Sequence, residues 1–445
     1  MLNPSNPLDP NPPLSRRSFL GTAAAGALLT TAGCAGFGGG GSGSESDGDA
    51  SLTVTWWGDA SRTELYDAAL ELFEADHEGV TTRSEFADLG PYLERMATAA
   101  AAGNLADVLW MRDTHVGRYG AGGSLLDLSE YLDDVIDVSA IGDAGVASGT
   151  VGDGVFALPT HYVGQALITA EDLLGAAGVS GGDIATWDDL AAAAREAADP
   201  AAGVFGINDP TLDDTHRHLE AWIRQAGGEL FTPEGTLAAD PAAIEEWFVF
   251  WKTLRDEGVL PPADSQSEAN GAGWSGDFLV LGTSAMRLSS TNHFTIVSGL
   301  TEAPLGLFST PAFADSTDDW WFFPPILISA AANTDSPEVA AALIDFFIND
   351  AAAADVTRLN QGAPSSSEIR DGLTPDLEGA ETAFIEQISR EMQHPARPFP
   401  IRPEGSEQFN GALTRIGEEI AYGEATVTEA VARLVSDAAG YLTGS

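Results

Sequence analysis

The residues best placed to do chemistry in this chain are indoles and single polar side chains at abrupt ends of apolar runs. Trp56-Trp57 closes an alternating run and precedes Gly58-Asp59, Trp320-Trp321 precedes the apolar run 322–328, His161-Tyr162 follows Leu158-Pro159, and Trp274 lies in a Gly-rich stretch. In open α/β sheets the strand ends line the ligand crevice. A flat aromatic there offers a large apolar face with little side-chain entropy to lose, which suits the C–H face of a sugar ring. Asp59, Asp113, Asn292 and Gln361 are candidate partners for its hydroxyls. With Tyr92 added, the candidate ligand set is Trp57, Asp59, Tyr92, Asp113, His161, Tyr162, Trp274, Asn292, Trp320, Trp321 and Gln361. Trp247 and Trp251 fall on a helical stripe with Ile244, Phe248 and Leu254 and are assigned to packing; which of Trp56 and Trp57 faces a ligand stays open.

Bond-making chemistry finds no support. The sequence has no His-Glu-x-x-His or P-loop motif. Gly273-Trp274-Ser275-Gly276-Asp277 approaches a nucleophile elbow, but Asp277 stands where its last Gly belongs. His216 and His218 are two apart, which on a helix points them to different faces and disfavours a metal pair. Acid pairs such as Asp133-Asp134 and Glu245-Glu246 read as solvated faces in a chain with 67 Asp+Glu, though a glycosidase pair stays an alternative. One Cys excludes a disulfide framework and Cys-built metal sites. A formal charge of −47 argues against a nucleic-acid partner. Neither cofactor nor metal is expected.

The elements that must position these residues alternate after residue 50. Leu52-Thr53-Val54-Thr55 is a strand pattern, 63–78 carries a helical face of Leu65, Ala69, Leu72 and Phe73, and 107–111 is a short buried strand. Thr186-Trp187-Asp188-Asp189 reads as a capping box, and Ser336-Pro337-Glu338 as a helix start. The segment 412–442 reads as helices. Such alternation predicts an α/β fold with largely parallel sheets, and 445 residues exceed one hydrophobic core, so two lobes are expected.

The first fifty residues read as an address and a tether. Ser15-Arg16-Arg17-Ser18-Phe19-Leu20, a short apolar run and Thr31-Ala32-Gly33-Cys34 form an export signal of the twin-arginine kind. Thr-Ala-Gly-Cys resembles a lipobox, which makes Cys34 the lipidated first residue after removal of 1–33. The tract 34–50 is a Gly/Ser/acidic coil with a root-mean-square span of roughly 20–24 Å. Lysine occurs once, at Lys252, against 19 Arg. An acidic, Lys-poor surface is tolerable where salt shortens the Debye length to about 3 Å, which points to a salt-loving source.

Thr53-Val54-Thr55-Trp56-Trp57-Gly58, Ala106-Asp107-Val108-Leu109, 152–159, Gly282-Thr283-Ser284-Ala285-Met286 and Asn360-Gln361-Gly362-Ala363-Pro364-Ser365 follow one another in a familiar order. Taken together, the chain resembles the extracellular solute-binding proteins of ABC importers, in the carbohydrate-binding group that includes maltose-binding protein. It departs from the pattern in having Ala106 for a usual Pro and Gln361 for a frequent Arg. The resemblance implies a two-lobed periplasmic-binding-protein-like α/β fold with the ligand cleft between lobes: lobe one at 51–159 and 284–365, lobe two at 160–283 and 366–445. It also implies a monomeric receptor that captures a sugar or oligosaccharide at the outer membrane face. Delivery is to ABC permease subunits with a cytoplasmic ATPase, without catalysis. A polyol or glycerol phosphate is the alternative ligand.

Overall fold

The computed structural model describes residues 50–213, 215–232, 234–316, 322–393 and 402–442. The signal, Cys34 and most of the tether therefore lie outside the described residues, as do Trp320 and Trp321.

Strand β1 (Ala50–Trp57) buries Leu52, Val54 and Trp56 on one face and leaves the residues between them partly or fully accessible, the period-two pattern of a half-covered strand. It pairs in parallel with β2 (Val80–Ala87) and β3 (Val108–Met111). The hairpin β4 (Thr150–Val151) and β5 (Gly154–Val155) turns at Gly152, whose φ of 63° suits a residue without Cβ. Strand β6 (Leu158–Ala170) is thirteen residues long and buried throughout. Its first half pairs antiparallel with β9 (Phe322–Ala330) and β10 (Ala363–Pro364); its second half pairs antiparallel with β7 (Met286–Ser290) and β8 (Leu305–Ser309). Among the ladders of the described strands only those of β1 are parallel, against the expectation of largely parallel sheets. The reason is topological: β9 re-enters the first sheet after a long excursion and from the opposite end, so it runs against β3 and β6.

Two main apolar cores result. The first gathers Leu52, Val54, Trp56, Tyr66, Trp110, Ile328 and Leu343, with indole, phenol and phenyl rings in edge and tilted contact. The second holds Leu167, Trp187, Trp222, Trp247, Trp251, Leu413 and Val431, and the stripe containing Trp247 and Trp251 is fully buried. Met286 and Leu288 of β7 also enter this second core, and Leu307 of β8 joins Ala166 and Ile168 beside it. Residues 284–309, grouped with lobe one in the sequence division, thus pack with the second half of β6. The return to the first sheet is made by β9, later in the chain than the Gly282–Met286 similarity suggested.

Several local expectations meet their physical cause. Thr186 Oγ1 accepts from Asp189 N and the Asp189 carboxylate accepts from Thr186 N, closing the capping box of helix Trp187–Ala197. The helix Ala60–Asp76 starts three residues before its apolar pattern because Asp59 caps it, accepting from Arg62 N at 3.0 Å. Helix Pro337–Asn349 begins at the expected Pro, but Ser336 makes no side-chain cap bond. Helices Ser406–Ala421 and Val427–Tyr441 fill the C-terminal segment.

Candidate ligand site

The ends of β1 and β3, the middle of β6 and the turn before β10 meet at the crossover between the two cores. Trp57, half-buried, stands with its ring centroid 5.7 Å from that of Tyr92. Arg62 lies over Gly58, where a Cβ would come within 2.7 Å of its side chain. Arg62 donates to Trp57 O and, through Nε, to Asn360 Oδ1, both at 2.8 Å, which ties the first turn to the turn carrying Gln361. Gln361 is 3% exposed with neither amide atom hydrogen-bonded. On β6, His161 is buried with Nδ1 unbonded, and burial pushes its imidazole down to about 3, so the ring is neutral at neutral pH.

A charged network crosses from one core to the other. Asp113 opens helix Asp113–Ala121, whose Val116 and Tyr119 pack beside the first sheet. Arg217 and Glu220 lie on helix Thr215–Gln225, whose Leu219, Trp222 and Ile223 sit in the second core. Arg217 Nη2 donates to both Asp113 oxygens at 3.0 and 3.3 Å, Arg402 Nε stands 3.5 Å from Asp113, and Arg402 Nη2 bonds Glu220. None of these four side chains is more than 4% exposed. Burial alone would raise the Asp113 carboxyl, but Arg217, Arg402 and Arg112 outweigh it and hold the group below the usual carboxylate range. Beside the network opens a cavity of about 650 Å³ walled from both sides by Arg118, Thr150, Gly152, Phe231, Thr232 and Arg402. That volume lies within the range of small-molecule sites.

The model of the bacterial extracellular solute-binding protein family matches residues 59–354. The chain belongs to that family. Solved structures agree on the two-lobed fold. An extracellular solute-binding protein family 1 member from Alicyclobacillus acidocaldarius is 24% identical, with a TM-score of 0.73 over 88% of this chain and 98% of that one. An oligogalacturonide-binding protein from Yersinia enterocolitica is 20% identical, with a TM-score of 0.73 over 87% and 98%. A Thermotoga lettingae solute-binding protein bound with α-D-tagatose is 16% identical, with a TM-score of 0.67 over 88% and 100%.

In this solute-binding protein the sequence candidates separate into four groups. Trp57, Asp59, His161 and Gln361 gather at the crossover, with Asp59 exposed and serving as a helix cap. Asp113 enters the charged network. Trp274 and Asn292 lie on the second-core side: the Trp274 ring is tilted against that of His293 with centroids 4.6 Å apart, and Asn292 precedes helix His293–Ser298 with its buried Oδ1 unbonded. Tyr92 and Tyr162 point inward instead. Tyr92 OH donates to Trp110 O at 2.7 Å, and Tyr162 OH lies 2.7 Å from where a Cβ on Gly145 would stand. Burial raises both phenols. The elbow-like Gly273–Gly276 forms a 3₁₀ turn, with Ser275 Oγ donating to Ala272 O.

Arg217, Glu220, Arg402 and His218 were not among the sequence candidates. The available signal was on helix 215–225: Leu219, Trp222 and Ile223 mark its apolar face, and Arg217, His218, Glu220 and Arg224 beside them are buried too. Among the described residues no group of three or more His, Cys, Asp or Glu is arranged to hold a metal ion, and no helix is long and apolar enough to cross a membrane.

Proposed function

We propose that this protein is the receptor of an ABC importer for a neutral sugar or oligosaccharide, held at the outer membrane face by a lipid on Cys34. The observation that carries the reading is the Asp113–Arg217–Arg402 network beside a ligand-sized cavity. Groups from both cores converge there, so a solute in that space touches both and favours the closed arrangement over an open one. The packing supports a first lobe built on 50–160 and 322–357 and a second on 161–316 and 374–442, with 358–373 touching both at the crossovers. Neutral imidazoles and half-buried indoles suit hydroxyls and ring faces, and a protein of this fold is bound with the neutral sugar tagatose. The solute is handed unchanged to the permease. The acidic, Lys-poor composition supports a salt-loving source, and the paired Arg16-Arg17 supports twin-arginine export.

Titration of the purified chain in molar salt with a panel of sugars, followed by Trp fluorescence, tests the assignment. A saturable shift with a sugar is expected; a response only to a polyol, glycerol phosphate, peptide or ion would replace the ligand class. Mass spectrometry of the cell-derived protein should find a diacylated Cys34 at its N-terminus, and an unmodified residue there removes the anchor.

A further inference from the structure

Among the described residues two that are not glycine have a positive φ, Asp133 at 66° and Arg358 at 45°. A short acid tolerates that region through local hydrogen bonds of its own, whereas an Arg has no such relief. Arg358 ends helix Ala351–Thr357 with its N–H on Ala354 O at 2.7 Å, and its ψ of −127° throws the chain into a turn closed by Asn360 N on Thr357 O at 3.2 Å. Such angles belong to the first central residue of a type II′ turn, a place normally given to Gly. The strain must therefore be held from outside the residue. On the first-core side the turn is pinned: the helix before it packs through Ala353, and Asn360 Oδ1 accepts from Arg62 Nε at 2.8 Å. The Arg358 side chain reaches the other way. Its Nη2 donates to Asp376 O at 3.2 Å and to Glu381 Oε2 at 3.3 Å. Glu381 lies in the first turn of helix Ala380–Glu391, whose Phe384, Ile385 and Ile388 pack with Ala166, Ile168 and Leu307 beside the second core. One strained residue thus has its backbone anchored on one lobe and its guanidinium on the other.

We propose that Arg358 is a spring across this crossover: the turn is strained while the lobes are together and relaxes when they part. It rests on the two-lobed fold and not on the identity of the solute. Two opposed effects meet in the one residue. Its guanidinium contacts favour the closed form, because Asp376 and Glu381 belong to the far lobe. Its backbone strain disfavours that form. The ion pair is the smaller effect, since its side chains are 38% and 39% exposed and molar salt screens it, so it changes the closed-to-open ratio only a few-fold. A non-glycine residue held at positive φ changes a two-state ratio by about 5- to 150-fold. The empty receptor is thereby biased toward opening, and a solute that touches both lobes supplies the closing free energy. Glycine at this position would abolish the bias, which gives a physical reason for an Arg where the turn type calls for Gly.

Small-angle scattering of the full-length chain without ligand in molar NaCl tests the spring. Each variant is measured in the native background and with Asp113→Ala, which loosens the buried network, so that the ratio is read from both sides of balance. Arg358→Met keeps the strained backbone and loses both contacts; Arg358→Gly loses contacts and strain together. The radius of gyration should rise in Arg358→Met and fall in Arg358→Gly, with about 5- to 150-fold between the two in closed-to-open ratio. Glu381→Gln should move the same way as Arg358→Met but less, because the contact with Asp376 O remains. Equal scattering from Arg358→Gly and Arg358→Met in both backgrounds, or a larger radius for Arg358→Gly, overturns the spring. Urea unfolding of the same variants identifies strain common to both forms: Arg358→Gly more stable than Arg358→Met with unchanged scattering also overturns it. If circular dichroism shows Arg358→Gly unfolded, Arg358→Asn takes its place, since Asn tolerates positive φ better than Met. With no solute added, a failed spring leaves the sugar reading intact, and failure of every sugar leaves the spring standing.

Discussion

Replacing Asp113 by Ala removes an acid that faces both Arg217, at 3.0 Å, and Arg402, at 3.5 Å, from a position 3% exposed. Breaking a buried ion pair from one side costs about 3–5 kcal/mol, because the remaining charge stays desolvated. In an open form the two guanidiniums are rehydrated, so the cost falls on the closed form. A loss of about 3 kcal/mol shifts the closed-to-open ratio by roughly 150-fold, since about 1.4 kcal/mol is tenfold. Small-angle scattering of the ligand-free protein in molar salt should therefore show a larger radius of gyration for Asp113→Ala than for the native chain. Glu220→Gln should act in the same direction but less, because it weakens the network through Arg402 and leaves both Asp113 contacts in place. Measuring without ligand separates closure from any direct contact between Asp113 and a solute. Identical scattering and identical thermal stability for native, Asp113→Ala and Glu220→Gln proteins would refute the argument that this network holds the lobes together.

Glu391 is 2% exposed, and burial raises its carboxyl to about 8, against the pull of hydrogen bonds from Gln387 and Ser309 and the nearby Arg390. Its folded pKa lies above its unfolded one, so its contribution is fully present below about pH 4.5 and lost as pH rises toward 8. Glu391→Gln should remove a decline of roughly 3–5 kcal/mol between those limits, read as a flatter pH dependence in urea unfolding; an unchanged slope rejects a neutral buried Glu391. Trp274→Ala should weaken sugar binding about tenfold by removing a ring face. Tyr92→Phe should cost only about 1 kcal/mol of stability, from its bond to Trp110 O, with affinity unchanged, and the reverse outcome would exchange their assignments. Gly362 has a φ of 142° and a Cβ there would stand 2.7 Å from Tyr162 O. Gly362→Ala should therefore destabilise by about 1–3 kcal/mol in chemical denaturation.

What the sequence disclosed follows from how local each signal is. The capping box at Thr186, the alternation of Leu52, Val54 and Trp56, and the stripe of Trp247 and Trp251 are set by neighbours within a turn or two, and all are legible. Strand direction is not local: nothing within Phe322–Ala330 states that it enters the first sheet against β3. The partners of β7 and β8 are hidden for the same reason, since their pairing with β6 spans more than a hundred residues. At the site, single-residue chemistry marked Trp57, Asp113, His161 and Gln361. It could not mark Arg217 and Arg402, because an Arg on a helix or loop reads as surface until an acid 104 or more positions away is brought against it. Tyr92 shows how an aromatic near a strand end serves a sheet interior, since its OH bonds Trp110 O.

Strand β6 is laced into both sheets along its length, with register irregularities only between Pro159 and Val163. A thread stitched through two cloths makes them hard to part. Neither lobe keeps a complete sheet if that thread is withdrawn, so heat should melt them in a single calorimetric transition despite their separate interiors. By the same token, either half excised on its own would lose part of the sheet that β6 completes.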